Sequence, residues 1–378
     1  MAWPSSLSPR SIGNPDVSFL SSLQTLKELT DLLKADQHLT QEQVIDSIGW
    51  LRDENVPESD KADFLRALRQ KGETSDEMMA FVDAFLDLAT DPKIDPEKLN
   101  GPLLDISGTG GDQQELFNVS STAMFILAAA GVVVVKHGNR GATTRCGSAD
   151  VLEALGTNIH LLPPELLRQC VYEVGIGYIF AQDYHPAFKA IAPVRKMLAK
   201  EGIPTVFNKL GPLLNPARPH YQLAGVFSTD LLPHYGHVLQ ALGRKQAWVV
   251  HGTALETGGI DKVSVSGETH ILKVSPDKIE RETISPEMWG LTRSPLSDLR
   301  GAEREHNAEI IRKILSGTLK GPKRDFVAFN AAAGFVVVGF AKDLSEGLAL
   351  ANYQIDSGAA EAKLRKLEEF SKQHPPKR

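Results

Sequence analysis

The amino-acid sequence predicts an α/β fold: a small N-terminal helical domain, then a large domain with a mainly parallel central sheet flanked by helices. Three observations lead there. From Val17 to Asp91 apolar residues recur at helical spacing, with capping signals between the runs. Beyond Gly101 short apolar runs alternate with helical patterns, the order expected of parallel strands joined by crossover helices. Within them Val132-Val133-Val134-Val135 is β-branched and wholly apolar, as a strand covered on both faces must be. At 378 residues the chain is long enough for two cores, which we divide at 17–91 and 100–372.

Residues 1–16 are rich in Ser and Pro, with Arg10 as their only basic residue and no apolar stretch, so they read as a disordered tail rather than a secretory signal. In the helical domain Leu26, Leu29, Leu32 and Leu33 share one face. Thr40-x-x-Gln43 is a capping box before Val44, Ile45, Ile48 and Leu51. Gly72 ends the helix that carries Phe64, Leu65 and Leu68, and Thr74-x-x-Glu77 caps the next, whose apolar face is Met78, Phe81, Val82, Phe85 and Leu86. This region offers packing and part of a dimer contact, and no catalytic residue. Pro92 and Pro96 mark the linker, and part of 185–215 is expected to pack back on the helical domain.

Residues 105–156 organise the rest: a strand, a glycine-rich turn, a helix, a second strand, and a loop rich in cations and glycine. Gly108, Gly110 and Gly111 lack a Cβ, so the backbone beside Thr109 can turn sharply and bring N–H groups against a ligand; Asp112 closes the turn. Asn118, Ser120 and Ser121 stand at the start of the following helix, where free N–H groups and the positive dipole end favour an anion. Lys136, His137, Asn139 and Arg140 end the second strand and are expected to face the first loop across the carboxyl edge of the sheet, where open α/β sheets bind ligands. Further on we expect helices over 149–155, 164–174, 188–198, 231–242, 307–315, 326–339, 344–355 and 361–372. Strands are expected at Ile159-His160-Leu161, 176–180, 222–227 and 247–251, with antiparallel β structure over 263–271.

Composition narrows the function classes. A net charge of -6 argues against nucleic-acid binding through global charge, and no apolar run reaches the ~20 residues of a membrane span. Cys146 and Cys170 have no metal-ligand spacing, and a reducing cytoplasm suits them. The GTGGD turn matches neither G-x-G-x-x-G nor the Walker A pattern, and alone it could be a plain turn. A plain turn has no need of Lys, His, Asn and Arg beside it; an anionic sugar phosphate does.

GTGGD, then N-x-S-S, KHGNR, GSAD, YHPAFKAIAPVR and FNKLGPLLNP resemble, in that order, the anthranilate phosphoribosyltransferases, and the resemblance runs from the first helices to about Ser357. It implies a nucleoside phosphorylase/phosphoribosyltransferase-like fold, a homodimer, and transfer of phosphoribose from 5-phosphoribosyl-1-pyrophosphate (PRPP) to anthranilate with Mg²⁺, in tryptophan biosynthesis. By the same resemblance Gly108, Thr109, Gly110, Gly111, Asp112, Asn118, Ser120, Ser121, Lys136 and Ser148 would bind PRPP. His137, Asn139, His185 and Arg195 would bind anthranilate, with Arg195 clamping its carboxylate. Ser120 and Asp261 would hold metal, and FNKLGPLLNP would form a hinge.

The chain departs from that family at three places. Asp261-Lys262 stands where the family has a consecutive Asp-Glu that binds two Mg²⁺ ions. Leu116 replaces a common Thr, and Pro204, after Lys200-Glu201-Gly202-Ile203, replaces a common Arg. Lys262 and Leu116, with Lys189, Lys196, Lys200 and Lys209, support a second reading: a paralogue without this activity that binds nucleic acid or another anionic ligand. A third, a nucleoside phosphorylase of the same fold, lacks its KHSTGGVGD loop here.

Overall fold

The computed structural model describes residues 24–110, 114–141, 145–254 and 258–375; the tail assigned to 1–16 lies outside them. The chain opens with α1 (Leu26–Lys34), α2 (Gln41–Arg52), α3 (Glu58–Lys71) and α4 (Ser75–Asp87). Three of these begin with a reciprocal capping box, Thr25 with Glu28, Thr40 with Gln43 and Thr74 with Glu77, and each box pairs N–H groups that the helix cannot satisfy itself. Gly72 ends α3 at φ 86, a left-handed angle that suits glycine.

The α/β part follows as β1 (Leu103–Gly108), α5 (Val119–Ala129), β2 (Val133–Gly138), α6 (Ser148–Ala154), α7 (Pro164–Val174), β3 (Ile176–Phe180), α8 (Ala181–Tyr184), α9 (Ala187–Lys200), α10 (Phe207–Leu210), β4 (Tyr221–Gly225), α11 (Leu231–Ala241), β5 (Gln246–Thr253) and β6 (Gly259–Ile260). The hairpin β7 (Thr269–Val274) and β8 (Ile279–Ile284) precedes α12 (Arg304–Leu315), α13 (Pro322–Val337), α14 (Leu344–Asp356) and α15 (Ala359–Gln373). The sheet runs β3-β2-β1-β4-β5-β7-β8, with β6 on β5. β3, β2, β1, β4 and β5 are mutually parallel, and β6, β7 and β8 are added antiparallel. From β1 the chain steps to β2 and β3 on one side, then returns to β4 and β5 on the other. The loop after β1 therefore sits at a topological switch point, the preferred ligand crevice of such sheets.

Two cores sandwich the sheet, and strand alternation assigns residues to them. Leu223, Trp248 and Val250 face the core made with α5, α7 and α12–α15. Ala224, Val226, Ala247 and Val249 face the core shared with α1–α4, α9, α10 and α11. Phe85 of α4 meets Phe188 of α9 and Phe207 of α10 at centroid distances of 4.7 and 5.6 Å, so residues 187–210 pack among the N-terminal helices. Beside them the fully buried carboxylate of Glu73 pairs with Lys209.

Two expected elements differ. Ile159–Leu161 is a 3₁₀ turn rather than a strand, because the Leu162-Pro163-Pro164 that follows leaves no N–H at two successive residues to extend a ladder. Over 263–271 the strand begins only at Thr269. The preceding residues are held in a coil by Ser264, whose hydroxyl donates to Thr253 and accepts from the N–H of Ser266 and Gly267. β8 was not anticipated: Ile279–Ile284 is charged and largely exposed, as an edge strand protected against further pairing should be.

Removing one partner of a buried ion pair leaves an uncompensated charge. Lys209→Met should lower the unfolding free energy by about 3 kcal/mol in urea titration. Adding Glu73→Gln to it should recover part of that loss.

Candidate active site

The glycine turn is built by long-range contacts. The Gly110 N–H donates to Asp261 Oδ2 at 2.7 Å, the Thr109 N–H to the Gly225 carbonyl at 3.0 Å, and the Phe227 N–H to Thr109 Oγ1 at 3.2 Å. A Cβ at Gly108 would strike the Asp261 carboxylate, and one at Gly225 would strike the Asp261 carbonyl, so both positions require glycine for close approach. Gly110 has φ 66. Asp261 itself is buried, and its Oδ1 pairs with the Lys262 ammonium. Gly111 and Asp112 lie outside the described residues.

Behind the turn, Lys136 reaches under β1 and donates from Nζ to the Ile106 carbonyl at 2.7 Å. Burial lowers its pKa to about 8, opposed by Asp105 and Asp261 and reinforced by Lys262. Asp105 is fully enclosed, so burial raises its pKa, and Lys136 opposes that shift. Asp105 carries this balance, and the sequence reading did not single it out; an acid inside an apolar strand was the available signal.

At the start of α5, Asn118 occupies the cap position but its side chain does not cap. Its Nδ2 donates to the Cys146 carbonyl at 3.2 Å and its Oδ1 accepts from Asn307 at 3.1 Å, tying three segments together. Ser120 is half-buried and Ser121 buried in the first turn. Leu116 packs on the core and bridges to Arg300. Ser148 opens α6 with its hydroxyl 2.7 Å from the Tyr178 hydroxyl. Arg140 was expected to face the glycine loop, but α6 takes it instead: it pairs with Asp150 and Glu153, both at 2.9 Å, because those carboxylates stand one turn apart on the adjacent helix. Asn139 accepts from Gln182 at 3.1 Å.

A second group gathers where α9 and α10 cross the sheet edge. The His137 and His185 rings lie edge to face at 5.1 Å. His137 Nδ1 donates to the Gly211 carbonyl at 2.9 Å and His185 Nε2 to the Leu214 carbonyl at 2.8 Å. Burial holds both neutral, with pKa lowered to about 3 and about 4. Arg195 lies with its guanidinium 5.9 Å from the Phe188 ring and 5.2 Å from that of Phe207, and burial lowers its pKa. Among the described residues it has no ion-pair partner. FNKLGPLLNP, expected as a hinge, supplies the Phe207 wall and the Gly211 carbonyl, and its Asn215 donates to the Val135 carbonyl at 2.8 Å. Of the cations behind the second reading, Lys209 is taken by Glu73, while Lys189, Lys196 and Lys200 are exposed on α9.

Among the described residues the donor set suits one Mg²⁺ and not a carboxylate-bridged pair. Magnesium keeps most of its waters and binds through substrate phosphates plus one or two protein oxygens, a demand the half-buried Ser120 hydroxyl meets. Both Asp261 oxygens are engaged, by Gly110 and Lys262, and the described residues include no cluster of three His, Cys, Asp or Glu able to hold a metal.

Gly225→Ala should lower the melting temperature by several degrees, because Asp261 must move, whereas Gly211→Ala, which meets open space, should leave it unchanged. Against the ordinary value of 6.5, His137 and His185 bind protons more weakly in the folded chain, so stability is complete above pH 6.5 and falls as pH drops through about 4 and about 3. His185→Gln should flatten that acid limb by up to ~1.4 kcal/mol per pH unit, read from urea titrations at stepped pH.

Two family models match the chain: the glycosyl transferase family a/b domain over residues 100–361 and the helical bundle domain of the same family over residues 26–89. The anthranilate phosphoribosyltransferase of Anaeromyxobacter dehalogenans (strain 2CP-1) is 44% identical over 346 residues, 92% of this chain and 96% of the relative. The crystal structure of the Thermus thermophilus enzyme matches with a TM-score of 0.81 and 38% identity, covering 91% of this chain and 99% of that one. The Saccharomyces cerevisiae enzyme in complex with PRPP and Mg matches with a TM-score of 0.81 and 25% identity, covering 92% and 98%. Among the described residues no helix is long and apolar enough to cross a membrane. Two domain matches that follow both halves of the fold, and relatives matched over nearly their whole length, agree with the glycine loop and the arginine site: this chain belongs to the anthranilate phosphoribosyltransferase family.

Proposed function

We infer that this chain transfers the phosphoribosyl group of PRPP to the amino group of anthranilate, releasing pyrophosphate, as a step of tryptophan biosynthesis. The observation that carries this reading is the pairing, along one sheet edge, of a glycine turn with a half-buried Arg195 that is lined by aromatic rings and has no carboxylate of its own among the described residues. An aminobenzoate fits the second place: its carboxylate supplies the missing anion and its ring meets Phe188 and Phe207. His137, Asn139 and His185 would line the path from there to the ribose.

In the reaction the C1–oxygen bond to pyrophosphate breaks, the nitrogen–C1 bond forms, and the nitrogen releases a proton. Positive charge builds on the sugar, so the main task is to hold the leaving group's charge. The turn at Gly108 to Gly111, the start of α5 with Ser120 and Ser121, and Ser148 would receive the phosphates, with Lys136 adding positive charge from beneath the turn and Asp112 and Asn118 ordering the loop. Mg²⁺, when bound with help from the Ser120 hydroxyl, supplies further positive charge to the pyrophosphate. An aromatic amine is weakly basic, so attack requires placement more than a strong base. The helical domain, 17–91, would close on 100–372 to bring the two substrates together. A homodimer and a cytoplasmic setting belong to the same reading, the latter supported by a chain whose only two cysteines, Cys146 and Cys170, are both buried.

Arg195→Met should raise KM for anthranilate by about tenfold to a hundredfold while leaving KM for PRPP unchanged, since a charge-assisted contact contributes ~1.5–3 kcal/mol. Arg195→Lys should fall between, because it keeps charge and loses the planar fork. An equal rise in both KM values would remove Arg195 from the acceptor site.

A further inference from the structure

We propose that Lys262 is the fixed counter-charge of the PRPP diphosphate, standing in place of a second divalent cation, so that this chain binds PRPP with a single Mg²⁺. The proposal deepens the phosphoribosyl-transfer reading and rests on it. Beneath the glycine turn, among the described residues, Asp105 lies beside Lys136 and Asp261 pairs with Lys262. Lys136 is committed to the Ile106 carbonyl and enclosed. Lys262 sits nearer the open side, its side chain 15% exposed against 3% for Asp261.

The carboxylate is the connector. Asp261 holds the Gly110 N–H with one oxygen and Lys262 with the other, so the ammonium is fixed to the same residue that shapes the phosphate turn. A divalent ion on Asp261 would have to displace that ammonium and then share a pocket with it and with Lys136, at high Coulombic cost where water is scarce. The ammonium already there carries three donors and can meet a phosphate oxygen while keeping its carboxylate. It also avoids the dehydration that Mg²⁺ resists.

Metal stoichiometry reads this directly. With saturating PRPP and no anthranilate, electron paramagnetic resonance should count one Mn²⁺ per chain, and PRPP affinity by calorimetry should rise with about the first power of free Mg²⁺. Lys262→Glu restores an adjacent carboxylate pair and should bind a second Mn²⁺. Lys262→Met should weaken PRPP about tenfold or more at saturating Mg²⁺, and Lys262→Arg should regain most of that. Two Mn²⁺ per unaltered chain, or full PRPP affinity in Lys262→Met, would overturn the proposal; if Lys262→Met fails to fold, the Mn²⁺ count on the unaltered chain decides. Failure to bind PRPP at any Mg²⁺ concentration would instead remove the phosphoribosyl-transfer reading itself.

Discussion

The hydrogen bond from Gly110 to Asp261 joins residues 151 apart in sequence, and the site is arranged around it. Asp261 follows β6, the short strand that turns back on β5, and its main chain and carboxylate fill the space that side chains at Gly225 and Gly108 would need. The ends of β1 and β4 and the segment after β6 thus converge at the point where the sheet changes its direction of winding. A close-packed junction of this kind tolerates little movement, which is what a turn that must keep its shape against a phosphate requires.

Charge is handled differently at the two ends of the crevice. Under the glycine turn Lys136 and Lys262 each have a carboxylate nearby, so the folded chain leaves neither cation uncompensated. Around Arg195 the compensation is aromatic: two phenylalanine faces attract the guanidinium but leave its donors for a ligand. Between them His137 and His185 stay neutral through burial, so they add no positive charge beside a sugar that becomes positive in the reaction.

What the sequence disclosed was what local chemistry encodes. The capping boxes at Thr40 and Thr74, the valine run of β2 and the glycine turn each need only neighbouring residues, and the ordered motifs supplied Arg195 and the histidines. Contacts between distant segments stayed hidden. Phe207 looked like hinge material because its partner Arg195 lies on another helix; Arg140 looked aimed at the glycine loop because Asp150 and Glu153 could not be placed beside it. The Ile159–Leu161 error came from reading three apolar residues without weighing the two prolines that follow. Lys262 was legible as a departure, but its pairing with the acid that holds Gly110 was not.

The measurement that tests the account most directly is product stoichiometry. The purified chain is incubated with PRPP, anthranilate and Mg²⁺, with anthranilate fluorescence and released pyrophosphate followed together. The account predicts one pyrophosphate released for each anthranilate consumed, with a ribosyl phosphate bonded to the aromatic nitrogen in the product. Pyrophosphate release without loss of anthranilate, or no turnover in a chain that binds both substrates, would contradict it.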